Sequence, residues 1–514
     1  MAALSHITTA GQNRPAVNHR AGILAALLML LGVLGWWLLF PTQAAAHANL
    51  ASSDPPANSE LETAPGRIII WFTEPIEPGL SEIRVLDASG KQVDLGDSVV
   101  DDLNPLAMSV GLSDVPDGTY TVAWKNVSTV DGHRVRGSFV FAVGQPLSGA
   151  PVEQIDQPLL QSPVAPVLRW LTLLGALAMS GGLVFELLVT RPVLFGLRST
   201  PVMMDVGRRL SYRSLGLTWL ALAVFLGASV GQLLVLTVIT HEVSSWGALP
   251  EPLWNTITAT GWGEVWVWRM AAALAFGVVL CGLRFFAEPR PELYRTVVRT
   301  LALMLGGAVL WTLGLTSHGA ATIDIRAMAL TADFLHLAAS AFWIGALFHF
   351  VMGLSTLLRG LPDGERRECL TEIVPRFSVV ASLSVATIIV TGVFSGWAQV
   401  TVVEALNTPY GITLIAKIAL VLPLLFLGAL NLLWVRPRLR RNTESVGWLR
   451  RLLLGEAALA VLILAAVGML TALEPARQVA SRELTESRQS ISFSDTVSGG
   501  HNQNANYTRR GRNK

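Results

Sequence analysis

His47 stands where a single residue can make a metal chelate. It follows the apolar stretch Ala21 to Phe40 and then Pro41-Thr-Gln-Ala-Ala-Ala46, with Arg14 and Arg20 upstream. A positive start, an apolar middle and an Ala-x-Ala end make a secretory signal over residues 1–46, cleaved after Ala46. Cleavage there leaves His47 at the N-terminus, where the α-amino nitrogen and ring Nδ1 offer two donors to one ion. Such a chelate suits Cu(II), which favours tetragonal nitrogen and oxygen ligands. The plainer alternatives are a chance histidine at this place, or an uncleaved signal anchor.

Asp131-Gly132-His133 is the second candidate. On a strand, residues two apart project from the same face. Asp131 and His133 are thus placed to share an ion, the carboxylate trimming its charge and the imidazole adding a nitrogen. The competing reading is a tight Asp-Gly turn between strands, with an ordinary surface histidine.

A third group lies in apolar surroundings: His318 in Leu315-Thr-Ser-His-Gly, then Asp333 and His336, then Trp343-Ile-Gly345. Asp333 and His336 are three apart and share a helical face, which Trp343 continues. His336 lies roughly 10 Å inside the outer end of its helix, at 1.5 Å per residue. Ionisable groups in a bilayer are costly, so the trio is a candidate functional site on the outer side. The alternative is an interhelical hydrogen-bond cluster that fixes packing. His349 falls near the cytoplasmic end, off the His336 face, as an exit-side group or an interfacial histidine. Arg169, Arg269 and Arg284 sit near span ends, where they snorkel. Glu186 and Glu456 are placed to pair with nearby arginines. Lys417 lies a turn or two inside the seventh span.

The elements that position these residues follow from composition and period. Of 514 residues, 52% are hydrophobic and 14% charged, which is membrane-like. A net charge of +2, with no basic patch of interleaved aromatics, excludes a nucleic-acid partner. Cys281 and Cys369 form no CxxC pair, so neither a disulfide framework nor a thiolate site is expected. Metal donors in the exported half are therefore nitrogen and oxygen, with Met108 the one sulfur to consider. Residues 47–145 read as an all-β domain, a Greek-key sandwich. Its strand-like runs are 67–72, 81–86, 108–112, 118–124 and 137–143, separated by Gly, Pro and Asp turns. A Pro-, Ser- and Gln-rich linker over 146–166 follows.

Residues 167–473 carry eight apolar segments, near 167–190, 215–240, 266–286, 300–316, 328–352, 377–400, 411–434 and 449–473, each able to span a bilayer. Arginines crowd the first, third, fifth and seventh loops. The second and sixth have none, and the fourth has only Arg326. Basic loops stay cytoplasmic. The β domain and the disordered tail, 474–514, then lie outside a plasma (inner) membrane protein.

With these residues in hand, the chain resembles the CopC–CopD fusion proteins over about His47 to Leu473. His47 after Ala-Ala-Ala, Trp71-Phe-Thr-Glu-Pro75, and Trp124-x6-Asp131-Gly-His133 with Gly137-x-Phe139 look like a CopC domain. Ser317-His-Gly319, Asp333-x-x-His336, Trp343-Ile-Gly345 and Asn407-Thr-Pro-Tyr-Gly411 followed by Lys417 look like CopD. The CopC resemblance implies a copper-binding β-sandwich. Its Cu(II) ligands would be His47, Asp131, His133 and the His47 α-amino nitrogen, with Glu74 near the site and no Met-rich Cu(I) site. The CopD resemblance implies copper movement across the inner membrane, usually inward, with His318, His336 and Asp333 on the path and Cu(I) as a candidate form there. Expected partners are copper ions, the lipid bilayer and an external copper chaperone or reductase. No enzymatic activity is expected, and no ATP-binding motif is visible. The rival readings are copper sequestration without transport, a haem-binding membrane electron-transfer protein, and an oxidative copper enzyme, in which Asp131 would fill a position that O₂ needs.

Overall fold

The computed structural model describes residues 49–130, 132, 134–147, 162–196, 200–285, 292–317, 325–399, 406–439 and 445–473. Its first part is a β sandwich. The strands are β1 (Leu50–Asp54), β2 (Glu60–Leu61), β3 (Arg67–Phe72), β4 (Glu82–Leu86), β5 (Val99–Val100), β6 (Ala107–Gly111), β7 (Gly118–Val127) and β8 (Arg134–Val143). One sheet has the order β1-β3-β6-β5 and the other β2-β8-β7-β4. Alternation builds the core. Ile68, Ile70 and Phe72 of β3 face Val85, Val122 and Phe141 of the other sheet in a single cluster, while the residues between them look outward.

Met108 lies within this core at 0% exposure. It faces inward from β6, so it is a packing residue and not a sulfur donor, because strand parity turns it away from the surface. The sequence reading missed β1. Leu50-Ala-Ser-Ser-Asp54 has no apolar face, and it is a strand because its backbone pairs with β3 at the sheet edge.

Eight helices are long and apolar enough to cross a membrane, and the chain is a multi-pass membrane protein. We call them spans 1 to 8: Ala165–Leu194, Pro201–Thr240, Gly261–Arg284, Leu293–Gly314, Arg326–Gly360, Asp363–Trp397, Pro409–Arg438 and Ser445–Leu470. Spans 1 and 5 form the interior, since 72% and 67% of their most apolar stretches are buried, against 11% in span 7. They cross closely at Gly181 and Gly345. A Cβ on Gly345 would sit 2.0 Å from the Leu177 carbonyl oxygen, so only glycine allows the approach.

Each of spans 1, 5 and 7 contains a π-helical turn, at Phe185–Thr190, Ala341–Gly345 and Asn431–Val435. The turn at 341–345 adds backbone between His336 and Trp343. The wider turn shifts Trp343 around the helix from the position that regular 3.6-residue spacing predicts.

Candidate functional site

His47, Asp131 and His133 lie outside the described residues, but their chain neighbours are placed. The β1 edge brings Asn49, two residues beyond His47, beside Thr73. Asn49 N–H donates to Thr73 Oγ1 at 3.1 Å, and Thr73 N–H donates to the Asn49 carbonyl at 2.9 Å. The next residue, Glu74, is fully buried and accepts a hydrogen bond from Ser128 Oγ at 2.7 Å. Ser128 Oγ in turn accepts from Val130 N–H at 3.2 Å, and the Ser128 carbonyl accepts from Gly132 N–H at 3.1 Å. Gly132 has φ +70°, a left-handed turn conformation that suits glycine. The buried Glu74 thus ties the β7–β8 turn to the start of β1. Both segments that carry the predicted ligands meet at one end of the sandwich.

That end is seated on the helical domain. Glu77, 4% exposed, accepts the Gly261 N–H at 2.7 Å and so caps the first turn of span 3 from another domain. Burial pushes the Glu77 carboxyl above its ordinary range, partly opposed by the Gly261 and Trp262 N–H groups. Arg134 donates to the Ile239 carbonyl at 3.0 Å and pairs with Glu242 at 2.9 Å, and Arg136 also pairs with Glu242. A Cβ on Gly132 would meet Trp262 and Leu236 at 3.3 and 3.4 Å, so the turn itself touches spans 2 and 3. Sequence reasoning missed Glu77, Glu242 and this contact. The available signal was Arg134 and Arg136, two apart on one strand face beside the turn.

Beneath Gly132 is a cavity of about 70 Å³, lined among others by Leu168, Arg169, Gln232 and Trp262. Gln232 Nε2 donates to Thr172 Oγ1 at 2.7 Å. Arg269 corrects the expectation of snorkelling. It is 1% exposed, and its guanidinium donates to the Thr312 carbonyl and Thr316 Oγ1, both at 2.8 Å. Eight residues inside span 3, it cannot reach the bilayer surface, and span 4 supplies acceptors instead. Arg169 and Arg269 lie within electrostatic reach of each other.

Of the membrane trio, His318 lies outside the described residues. Asp333 Oδ2 accepts a short hydrogen bond from Ser317 Oγ, which joins span 5 to the end of span 4. His336 Nδ1 is 2.9 Å from Thr391 Oγ1 of span 6. That hydroxyl donates to the Thr387 carbonyl at 2.7 Å. With that single proton on the Thr387 carbonyl, the ring donates to Thr391 through Nδ1–H and Nε2 carries the lone pair; with the proton turned to Nδ1, the roles reverse. Lys417 of span 7 is within electrostatic reach of Asp333 and His336. The described interdomain hydrogen bonds run to the 239–261 segment. The sandwich is therefore seated on the second loop.

His349 is neither interfacial nor open. It is fully buried, with Nε2–H donating to the Ala178 carbonyl at 3.0 Å and Nδ1 accepting from Ser214 Oγ at 2.8 Å. Glu186 does pair with Arg299, at 2.8 Å. Glu456 instead accepts from the Asn431 amide at 3.0 Å, because its helix face meets span 7 and not a basic loop.

Comparison with known proteins gives matches along most of the chain. The CopC domain family matches residues 50–144. The N-terminal domain of copper resistance protein D-like proteins matches 159–328, and the copper resistance protein D family matches 371–470. Copper transport protein CutJ of Bacillus subtilis (strain 168) is 28% identical over 476 residues, covering 89% of this chain and 82% of CutJ. Protein YobA of Escherichia coli (strain K12) is 33% identical over 99 residues, covering 19% of this chain and 79% of YobA. Copper resistance protein D of Pseudomonas syringae pv. tomato is 27% identical over 258 residues, covering 47% of this chain and 79% of that protein.

Proposed function

Because this chain belongs to the CopC–CopD fusion proteins, carrying both domains in one polypeptide, we propose that it captures Cu(II) with the sandwich and moves copper inward through the helical domain. The mature chain starts at His47. The His47 α-amino nitrogen and imidazole, the Asp131 carboxylate and the His133 imidazole form a nitrogen- and oxygen-rich set that suits Cu(II). One observation carries this reading: the Glu74–Ser128 link and the Asn49–Thr73 pair bring both ligand-bearing segments to the end of the sandwich that rests on the helices. Arginine-rich odd loops support an orientation with the sandwich outside. His318, Asp333 and His336 are the proposed path inside the membrane domain, with the His336 Nε2 lone pair as its donor.

The test is electron paramagnetic resonance of the purified full-length protein with one equivalent of Cu(II). A spectrum with nitrogen coupling is expected, altered in His133→Ala and in a variant with one alanine added before His47. Identical copper spectra in all three proteins would remove the site. Copper uptake into vesicles of known orientation tests the direction, and accumulation no faster than in protein-free vesicles would leave sequestration in its place.

A further inference from the structure

We propose that the groove between spans 4 and 5 binds a quinone taken from the bilayer, with Ser180 of span 1 donating a hydrogen bond to one of its ring carbonyls. The groove has a volume of about 460 Å³, within the range of small-molecule sites. Gly307 and Trp311 of span 4 and Phe334, Ala338 and Phe342 of span 5 line it, together with Ser180. The small residues leave the room: a Cβ on Gly307 would meet nothing within 4 Å. Met304 and Trp311 at its rim are exposed on the outside of the helical bundle. On membrane-spanning helices that surface faces hydrocarbon, so the groove fills from the bilayer. Phe334 follows Asp333 directly, so the groove adjoins the proposed copper path without sharing a residue with it.

Ser180 decides the kind of molecule. It is 1% exposed, and among the described residues its hydroxyl has no hydrogen-bond partner. Buried threonines of spans 1 and 2 return their hydroxyl protons to their own helices, Thr172 to the Leu168 carbonyl and Thr218 to the Ser214 carbonyl. Ser180 does not, although serine is able to. An unmet hydroxyl in an apolar interior is costly, so the groove favours an occupant that supplies an acceptor. Water is a poor occupant of a groove lined almost wholly by carbon, since it needs about two to four polar partners. An acyl chain suits the walls but brings no acceptor to this depth. Ser180 is near the middle of span 1, whereas lipid ester carbonyls lie at the edge of the hydrocarbon, roughly 15 Å from its centre. A flat ring with carbonyl groups meets both demands. Trp311 and Phe334 meet edge to face with centroids 5.6 Å apart, and with Phe342 they give such a ring aromatic neighbours. The apolar tail of a quinone stays in the lipid.

Photolabelling tests this on full-length protein in nanodiscs of synthetic phosphatidylcholine, which contain no quinone. The probe is an azido-benzoquinone with a decyl tail, and labelled peptides are mapped by mass spectrometry. Saturable labelling within Leu303–Trp311 or Phe334–Phe342 is expected, competed by decyl-benzoquinone and not by hexadecane. Ser180→Ala breaks no hydrogen bond and should fold as wild type, yet the half-saturating probe concentration should rise about fivefold. Gly307→Leu fills the groove and should abolish the labelling. Label spread without saturation over the lipid-facing residues overturns the inference. So does competition by hexadecane as effective as that by the quinone, which would make the groove a seat for acyl chains. Wild-type half-saturation in Ser180→Ala overturns it as well, and decides alone if Gly307→Leu does not fold.

Discussion

His336 and His349 lie on one helix, thirteen residues apart, and their surroundings have opposite chemistry. At His336 the threonine partner has a carbonyl of its own helix for its proton, which leaves Nδ1–H to donate, and among the described residues no hydrogen bond reaches Nε2. At His349 a carbonyl takes the Nε2 proton and a serine hydroxyl faces Nδ1, so both nitrogens are engaged. His349 is locked into the contact of spans 1, 2 and 5, while His336 has a donor to offer an ion. A histidine in a membrane is therefore not a metal ligand by virtue of its type. What separates the two is the set of groups that packing places around each ring.

The largest effect expected from this contrast is in transport. His336→Ala should reduce copper accumulation in vesicles to the protein-free level, while the copper spectrum of the sandwich is unchanged. Wild-type accumulation by a correctly inserted His336→Ala protein would make the open nitrogen irrelevant. Gly345→Ala comes next. A Cβ forced against the Leu177 carbonyl should cost roughly 3 kcal/mol and separate spans 1 and 5. Thermal unfolding in detergent reads this as a lower midpoint and poor yield.

His349→Ala should behave as a packing mutation. It opens a cavity and strips the Ala178 carbonyl and Ser214 of their partner, at about 2–3 kcal/mol. The protein that remains folded should move copper at a rate near wild type. Complete loss of transport per folded molecule would erase the contrast with His336. Thr391→Val should be milder, near 0.6 kcal/mol, the average for an interhelical hydrogen bond in a bilayer. It also frees the His336 ring to change tautomer, so a partial fall in uptake rate is expected.

The smallest effect is a pH dependence of docking. The raised pKa of Glu77 means that the docked state holds this proton more tightly than the undocked state, in which the carboxyl is solvated. Docking is therefore favoured at low pH, and this contribution is lost as pH rises through the docked pKa, above the ordinary 4.5. Hydrogen exchange at Gly261 and Trp262 should speed up modestly over that window in wild type and stay flat in Glu77→Gln. A slowing with rising pH would reverse the sign and refute the assignment.

Much of this architecture was legible because it rests on local physics. Hydropathy over about 20 residues marks a bilayer span, and all eight segments are helices. Strand alternation showed the inward faces of β3, β4, β7 and β8, though not β1, whose reason to exist is the neighbouring strand. Residue type and spacing likewise singled out Asp333 and His336 as candidates.

The sequence by itself determined where the chain is apolar, where it turns, which residues can ligate a metal and which loops are basic. Only the tertiary structure decided that His336 meets Thr391, that Arg269 is buried on span 4, and that Gly132 touches spans 2 and 3. The reason is range. Propensity and period act over a few neighbours along the chain, whereas Thr391 lies 55 residues from His336 and Gly261 lies 184 from Glu77. Hydrogen bonds and charges of this kind are set by which surfaces pack together, and no local pattern in the sequence records that choice.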